Sequence, residues 1–165
     1  EISMKDLRIL YFEGPDGAGK TTRIKEIMDG FDVYCHNGVY PSLAASYDAY
    51  DRQLSYFEEV PNSTGIFDRM IFSDVIYSDI CRNVKVPQSD VDAICERLNN
   101  IGASLIICLP PYEVCYSNWR TRRDAGGEYE KSEHNFERLY DAYTDLAATN
   151  KDLPIEIYDY TKELL

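Results

Sequence analysis

Short apolar runs alternate with longer amphipathic stretches along most of the chain. The apolar runs predict five strands, over Leu7–Phe12, Asp32–Cys35, Gly65–Asp68, Ser104–Leu109 and Pro154–Tyr158. The amphipathic stretches predict helices over Thr21–Asp29, Leu43–Val60, Ile71–Arg82, Ser89–Ile101, Tyr112–Arg123 and His134–Thr149. In the last of these, apolar residues recur every three or four positions, which places them on one face of a helix.

The alternation of strands and helices predicts an α/β fold. Ser104–Leu109 is apolar throughout and is bounded by Gly102 and Pro110, as expected for a strand covered on both faces. We therefore expect one domain, residues 1–165, with a doubly wound, five-stranded parallel sheet and helices on both faces.

The amino-acid composition of the chain limits the kinds of molecule that we expect it to bind. The formal net charge of −12 argues against nucleic acid and against an anionic membrane surface, because both need a basic face. The chain contains no apolar run of about 18 residues, and its first residues lack a signal-peptide pattern. We therefore expect no membrane partner.

The five cysteines form no C-x-x-C pair, which favours reduced thiols and a cytoplasmic location over a disulfide framework or a zinc site. His36 and His134 lack the spacing of metal ligands, so we interpret both as structural or surface residues.

A phosphate-binding loop follows the first predicted strand. It has the pattern G-x-x-x-x-G-K-T and comprises Gly14, Pro15, Asp16, Gly17, Ala18, Gly19, Lys20, Thr21 and Thr22. In such loops backbone N–H groups surround a polyphosphate, the lysine neutralises the β- and γ-phosphates, and the threonine hydroxyl binds Mg²⁺. We therefore predict binding of a nucleoside triphosphate such as ATP with Mg²⁺.

The Asp68-Arg69 pair distinguishes among the classes that carry this loop. It ends the third predicted strand and supplies a carboxylate for Mg²⁺ beside a guanidinium for a phosphate. This arrangement suits a second, phosphorylated substrate facing the triphosphate. The GTPase and motor patterns fit less well, since Asn150-Lys151-Asp152 places its acid one position early and Ser104–Leu109 is followed by proline.

A cluster of arginines near residue 120 has the properties of a lid, which we place at about 120–132. Arginines that close over a transferring phosphoryl group stabilise its charge and exclude water. Arg120 and Arg123 share one helix face, so we expect them to be catalytic together with Lys20 and Asp68, whereas Arg122 points elsewhere. Gly126-Gly127 offers a hinge.

These motifs resemble those of the thymidylate kinases. Residues 12–22 are similar to that family's F-E-G-x-[DE]-G-x-G-K-T-T loop, and residues 68–77 to its D-R-Y-x-x-S-x-x-A-Y segment. Ala49-Tyr-Asp-Arg52 resembles the end of the helix that holds the base in that family. The likeness covers most of the chain and implies transfer of a phosphoryl group from ATP to dTMP by a homodimer.

The resemblance also implies roles for the acceptor residues. Asp16 would accept a hydrogen bond from the sugar 3′-hydroxyl, and Arg69 would bind the 5′-phosphate. Arg52 would reach the pyrimidine edge, and Tyr77 would lie against deoxyribose. Gly17 stands where some members have a catalytic arginine, which leaves that role to the lid.

Several positions depart from the family pattern. Met70 replaces a tyrosine and Ser78 a glutamine, and Asp48 stands near the position of an aromatic residue that stacks on thymine, for which Tyr47 or Tyr50 could substitute. Two alternatives therefore stay open: a deoxynucleoside kinase that phosphorylates a 5′-hydroxyl, and a nucleotide-binding protein without turnover.

Overall fold

The computed structural model describes residues 9–128 and 130–164, and its centre is a parallel sheet of five strands. The strands are β1 (Ile9–Glu13), β2 (Val33–His36), β3 (Gly65–Asp68), β4 (Ala103–Cys108) and β5 (Ile155–Tyr158). They lie in the order β2-β3-β1-β4-β5, and every neighbouring pair is parallel. The predicted α/β fold is confirmed.

Six α-helices connect and cover the strands. They are α1 (Lys20–Ile27), α2 (Leu43–Glu59), α3 (Ile71–Arg82), α4 (Gln88–Asn100), α5 (Tyr112–Asp124) and α6 (Glu133–Thr149). Short 3-10 turns follow α1 at Met28–Gly30 and β5 at Tyr160–Leu164. The predicted bounds are met to within about two residues, and Leu7 and Arg8 of the first predicted strand lie outside the described residues.

The sheet has a separate apolar core on each face, because successive side chains of a strand point to opposite sides. Ile9 and Tyr11 of β1 pack into the core formed with α2, α3, α4 and part of α6. Leu10 and Phe12 pack into the other core, with Ile24 of α1 and with residues of α5 and the start of α6. Burial on both faces explains why β1 and β4 contain no alternation of polar and apolar residues.

Serine side chains begin two of the longest helices. The Ser42 hydroxyl accepts a hydrogen bond from the N–H of Ala45 at 3.1 Å, and Ser132 does the same for Asn135 at 3.2 Å. Such caps satisfy N–H groups that have no partner within the helix. They fix where α2 and α6 start.

The pairing of β1 with β3 brings two chemically important segments together. Phe12 lies opposite Asp68, and the N–H of Arg69 donates to the carbonyl of Phe12 at 2.9 Å. Residues that follow both strands thus meet at the carboxyl edge of the sheet, where open α/β sheets bind their ligands.

All five cysteines are free thiols, as predicted. Among the described residues, none of the helices combines the length and the apolar character needed to cross a bilayer.

Candidate functional site

The phosphate-binding loop packs between β4 and α5. Two glycines allow its backbone to approach both elements closely. Gly14 and Gly17 have positive φ angles of 151° and 84°. A Cβ on Gly14 would lie 2.6 Å from the carbonyl oxygen of Cys108, and one on Gly17 would lie 2.6 Å from that of Cys115. Any side chain at either position would therefore force the loop out of place.

Lys20 is the first residue of α1, and its ammonium contacts the carboxylate of Asp68 at the end of β3. Both side chains are buried. Burial lowers the pKa of Lys20, as does nearby Arg69, while Asp68 opposes that shift. Burial would raise the pKa of Asp68, but Lys20 and other donors hold it below its usual value. The loop and β3 are thus joined by a buried ion pair.

The second oxygen of Asp68 is held by β2. The Tyr34 hydroxyl donates to it at 2.7 Å, and Nδ1 of His36 lies 3.3 Å away. The His36 side chain is exposed, as expected of a surface residue, and it also lines the cavity described below. Parallel pairing of His36 with Asp68 across β2 and β3 places them together, a contact that spacing along the chain does not reveal.

Glu13 organises the other side of the site and was not among the residues predicted from the sequence. Its fully buried carboxylate accepts hydrogen bonds from the N–H groups of Met70 and Ser73, at 3.1 and 3.0 Å. It also accepts from the hydroxyls of Ser73, Tyr143 and Tyr11, at 2.7, 2.8 and 2.5 Å. The signal was present, since Glu13 is a charged residue inside an apolar strand directly before Gly14.

The Arg69 guanidinium lies within this network. One nitrogen, Nη1, donates to the hydroxyls of Ser73 and Tyr143 at 3.2 and 3.1 Å and lies 3.6 Å from the Glu13 carboxylate. The other, Nη2, donates to Asp16 of the loop at 3.3 Å. The backbone of Arg69 is left-handed, with φ of 69°. These contacts hold the guanidinium in one place beside the phosphate-binding loop.

A cavity of about 140 Å³ opens next to Arg69. Asp16, Arg69 and Tyr77 all line it, so the structure brings together three of the four acceptor residues expected from the resemblance. The Tyr77 hydroxyl lies 3.4 Å from the Asp16 carboxylate, and its ring lies 5.3 Å from the Arg69 guanidinium carbon.

Arg52, the fourth expected acceptor residue, is not part of the cavity lining. It lies on the exposed side of α2, whose buried face is set by Ala49, Tyr50 and Leu54. The amide of the neighbouring Gln53 exchanges two hydrogen bonds of 2.8 Å with the amide of Asn37, which lines the cavity. Burial raises the pKa of Tyr40 in the cavity lining and the charge of nearby Arg52 opposes that shift, so the role expected of Arg52 stays a prediction.

The tyrosines that line the cavity also differ from the two that were expected to stack on the base. Tyr40 lines the cavity, and its hydroxyl donates to Asn37 at 2.7 Å. Tyr50 is buried, while the Tyr47 hydroxyl donates to Asp90 at 3.0 Å. Neither Tyr47 nor Tyr50 lines the cavity, so Tyr40 and Tyr77 are the tyrosines available to a ligand there.

A second cavity lies on the other side of the loop, between α1, α5 and the segment after β5. It is lined by Gly19, Thr22, Glu26, Asn118, Arg122, Tyr158 and Tyr160. The Asn118 amide donates to the carbonyl of Gly17 at 3.0 Å and to the Tyr160 hydroxyl at 3.1 Å. The phosphate-binding loop therefore lies between two cavities.

The arginines of α5 do not lie as predicted. Arg122 shares a helix face with Asn118, four residues earlier, and lines the cavity beside the loop. Arg120 is exposed and lies 4.0 Å from Asp124, while Arg123 pairs with Asp124 and Glu133 at 3.2 and 3.4 Å. The structure thus places Arg122, rather than Arg120 or Arg123, next to the loop.

The first five residues of the predicted lid are helix. Residues 120–124 form the last turn of α5, and residue 129 lies outside the described part. The Trp119 indole N–H donates to the carbonyl of Glu130 at 3.0 Å, and Arg122 lies 3.7 Å from the buried Glu128. The segment after α5 is therefore attached to the side of α5 that carries Trp119.

The residues expected to bind Mg²⁺ suit that ion. Thr21 is exposed in the first turn of α1, and Asp68 is a carboxylate at the adjacent strand end. The described residues contain no group of three or more metal-binding side chains. Mg²⁺ at nucleotide sites is held by one or two protein oxygens, with phosphates and waters supplying the rest, so this donor set fits it.

Several proteins of known structure share this fold. No family model and no curated protein matches the sequence. Among solved structures, the YorR protein from Bacillus subtilis in complex with phosphorylated GDP is similar, with a TM-score of 0.72 and 13% identity, over 93% of this chain and 86% of that one.

Two kinases of known structure are similar as well. Deoxyadenosine kinase from M. mycoides with bound dATP matches with a TM-score of 0.61 and 22% identity, over 94% of this chain and 92% of that one. Polyphosphate kinase 2 from Arthrobacter aurescens TC1 matches with a TM-score of 0.64 and 16% identity, over 94% of this chain but 62% of that one. At these identities the likeness shows the fold alone, a parallel sheet covered by helices.

Proposed function

We propose that the chain is an ATP-dependent deoxynucleoside monophosphate kinase, which transfers the γ-phosphoryl group of ATP to the phosphate of a deoxynucleotide. The observation that carries this proposal is the position of Arg69. Its guanidinium lines a cavity on one side of the phosphate-binding loop and is held there by Glu13, Asp16 and Tyr143. A fixed guanidinium facing a triphosphate loop is suited to a second phosphorylated substrate.

On the donor side, the loop N–H groups and Lys20 bind the triphosphate. Arg122 and Asn118 line the neighbouring cavity, where Arg122 can stabilise charge that develops during transfer. Thr21 and Asp68 are the residues that would hold Mg²⁺, which when bound neutralises charge on the phosphates.

On the acceptor side, Arg69 orients the attacking phosphate. Asp16 accepts a hydrogen bond from the sugar 3′-hydroxyl, and Tyr77 packs against the deoxyribose. A phosphate monoester is already largely ionised at neutral pH, since its second pKa is about 6. The attacking oxygen therefore needs no general base, and catalysis consists of positioning and electrostatics.

The resemblance to thymidylate kinases makes dTMP a named candidate acceptor, and the homodimer it implies is part of the same proposal. A deoxynucleoside kinase is the main rival. Its acceptor is a hydroxyl, which must lose a proton during transfer and requires a base. The carboxylate in the corresponding region is Asp68, which the proposed function assigns to Mg²⁺.

A product assay tests the proposal. The purified protein is incubated with Mg·ATP and, separately, with each deoxynucleoside and each monophosphate, and the products are separated by ion-exchange chromatography. We expect a diphosphate from at least one monophosphate and no product from the nucleosides. Transfer to nucleosides alone would establish the rival, and binding of ATP without any transfer would indicate a non-catalytic nucleotide-binding protein.

A further inference from the structure

The cavity next to Arg69, here called the acceptor cavity, contains a second carboxylate, Asp74. This residue has no role in the proposed function. Asp74 lies in the first turns of α3 and is buried, yet it lines the cavity together with Asp16 and Arg69. A buried carboxylate is costly unless donors satisfy it. Its partners therefore indicate whether it serves only the fold or also a ligand.

The protein satisfies Asp74 only in part. The Tyr50 hydroxyl donates to Oδ2 at 2.7 Å, while the Ser46 hydroxyl lies 3.4 Å from Oδ1, a long contact. A carboxylate has about four acceptor positions, so Asp74 can accept further hydrogen bonds from the cavity. Burial raises the pKa of Asp74, as expected where donors are few, and Glu13 adds to this shift.

Asp74 and Arg69 face different parts of the site. Arg69 contacts the loop through Asp16 and α6 through Tyr143, whereas Asp74 contacts α2 through Ser46 and Tyr50. If Arg69 binds the phosphate, as the proposed function requires, a nucleotide extending along the cavity places its base towards α2.

Arg82 is the other charged group on this part of the lining. Its guanidinium donates to the Ser78 hydroxyl at 2.6 Å, and Ser78 is one helical turn after Asp74. Its positive charge lowers the pKa of Asp74, against the effect of burial. The base end of the cavity therefore offers an acceptor-only group and, beyond it, a donor-only group.

We propose that Asp74 selects the base of the acceptor nucleotide and favours a base with an exocyclic amino group, as in adenine, cytosine or guanine. This inference rests on the proposed function. In its ionised form a carboxylate only accepts hydrogen bonds, and an amino group of the base donates them and so stabilises that form. Thymine instead presents two carbonyl oxygens on either side of a single N–H, and a carbonyl next to a carboxylate is repelled. The acceptor therefore differs from the dTMP that the family resemblance implies.

The test compares acceptor ranking in the wild-type protein, in Asp74→Asn and in Asp79→Asn. Asparagine keeps an acceptor for the Tyr50 hydroxyl but adds a donor, which suits thymine. Asp79 is the matched control, because it lies on the same helix and pairs with Lys85 at 2.5 Å, outside the cavity lining. Two quantities are measured for dAMP, dCMP, dGMP and dTMP: kcat/KM with Mg·ATP, and Kd by calorimetry.

We expect the best amino-bearing monophosphate to exceed dTMP in kcat/KM by about tenfold or more, and Asp74→Asn to reduce that ratio by about tenfold. Asp79→Asn should leave it unchanged. A wild-type preference for dTMP would overturn the inference, as would an equal loss for all four acceptors in Asp74→Asn. If Asp74→Asn does not fold, the ranking of the four acceptors by the wild-type protein is enough to test the inference.

The two measurements separate this inference from the proposed function. Tighter binding of an amino-bearing monophosphate without any phosphoryl transfer would refute the kinase assignment and leave the role of Asp74 standing. Transfer to dTMP in preference to the other three monophosphates would support the kinase assignment and refute the role of Asp74.

Discussion

At the scale of single residues, Glu13 is the group on which the acceptor side depends. Its buried carboxylate connects the end of β1 with the start of α3 and with Tyr143 of α6, and it lies beside the Arg69 guanidinium. Removing one member of a buried charged network leaves its partners without compensation. Glu13 thus affects both stability and the orientation of Arg69.

We predict that Glu13→Gln lowers the free energy of unfolding by about 2–4 kcal/mol, because an uncharged amide cannot replace a carboxylate beside Arg69. Urea denaturation measures this loss. Glu59→Gln, at the exposed end of α2, is the control and should change stability by less than about 0.5 kcal/mol. Equal effects of the two substitutions would mean that the Glu13 network contributes nothing to stability.

Single residues also show which parts of the site could be predicted from the sequence and which could not. The loop and the Asp68-Arg69 pair could be predicted because their residue types are constrained by phosphate chemistry at short spacing. The contacts of Tyr143 and His36 could not, since they join segments that are far apart in the chain or depend on strand pairing.

At the scale of elements, the phase of α5 decides which arginine faces the loop. Cys115 and Trp119 are buried one turn apart, and Asn118 fixes the helix against Gly17. The bounds of α5 were predicted to within one residue, but its rotation depends on this contact with the loop. The arginine cluster could therefore be predicted from the sequence, whereas the rotation that puts Arg122 beside the loop came only from the structure.

We predict that Arg122→Ala lowers kcat by about tenfold or more, because it removes a cation from the cavity beside the loop. Arg120→Ala is the matched control on the same helix and should stay within about twofold, since Arg120 is exposed and lies beside Asp124. Steady-state kinetics with varied ATP measure both variants. A larger loss in Arg120→Ala would restore the assignment made from helical spacing alone.

At the scale of the whole molecule, a strongly acidic protein gathers cationic side chains at one edge of its sheet. The net charge is −12, yet Lys20, Arg69 and Arg122 border the loop and its two cavities. The strand order puts the ends of β1 and β3 side by side, and this pairing creates the site. The pattern of elements predicted the fold class, whereas the adjacency of the strands came only from the structure.

We predict that raising the NaCl concentration from about 20 mM to about 300 mM increases Tm by roughly 2–4 °C, since salt screens repulsion among the excess carboxylates. In the same range KM for ATP should rise, because salt also screens the local cations. Thermal denaturation and initial rates measure the two effects. A fall in Tm with added salt would show that attractive ion pairs outweigh the net repulsion.

The central claim is that the Arg69 guanidinium binds a second phosphorylated substrate opposite ATP. The most direct test measures Kd for ATP and kcat/KM for the preferred monophosphate in Arg69→Ala, with Arg138→Ala on the exposed face of α6 as control. We predict that Arg69→Ala lowers kcat/KM for the monophosphate by about a hundredfold or more while ATP binds with nearly unchanged affinity. Undiminished transfer in Arg69→Ala, or a parallel loss of ATP binding, would contradict the claim.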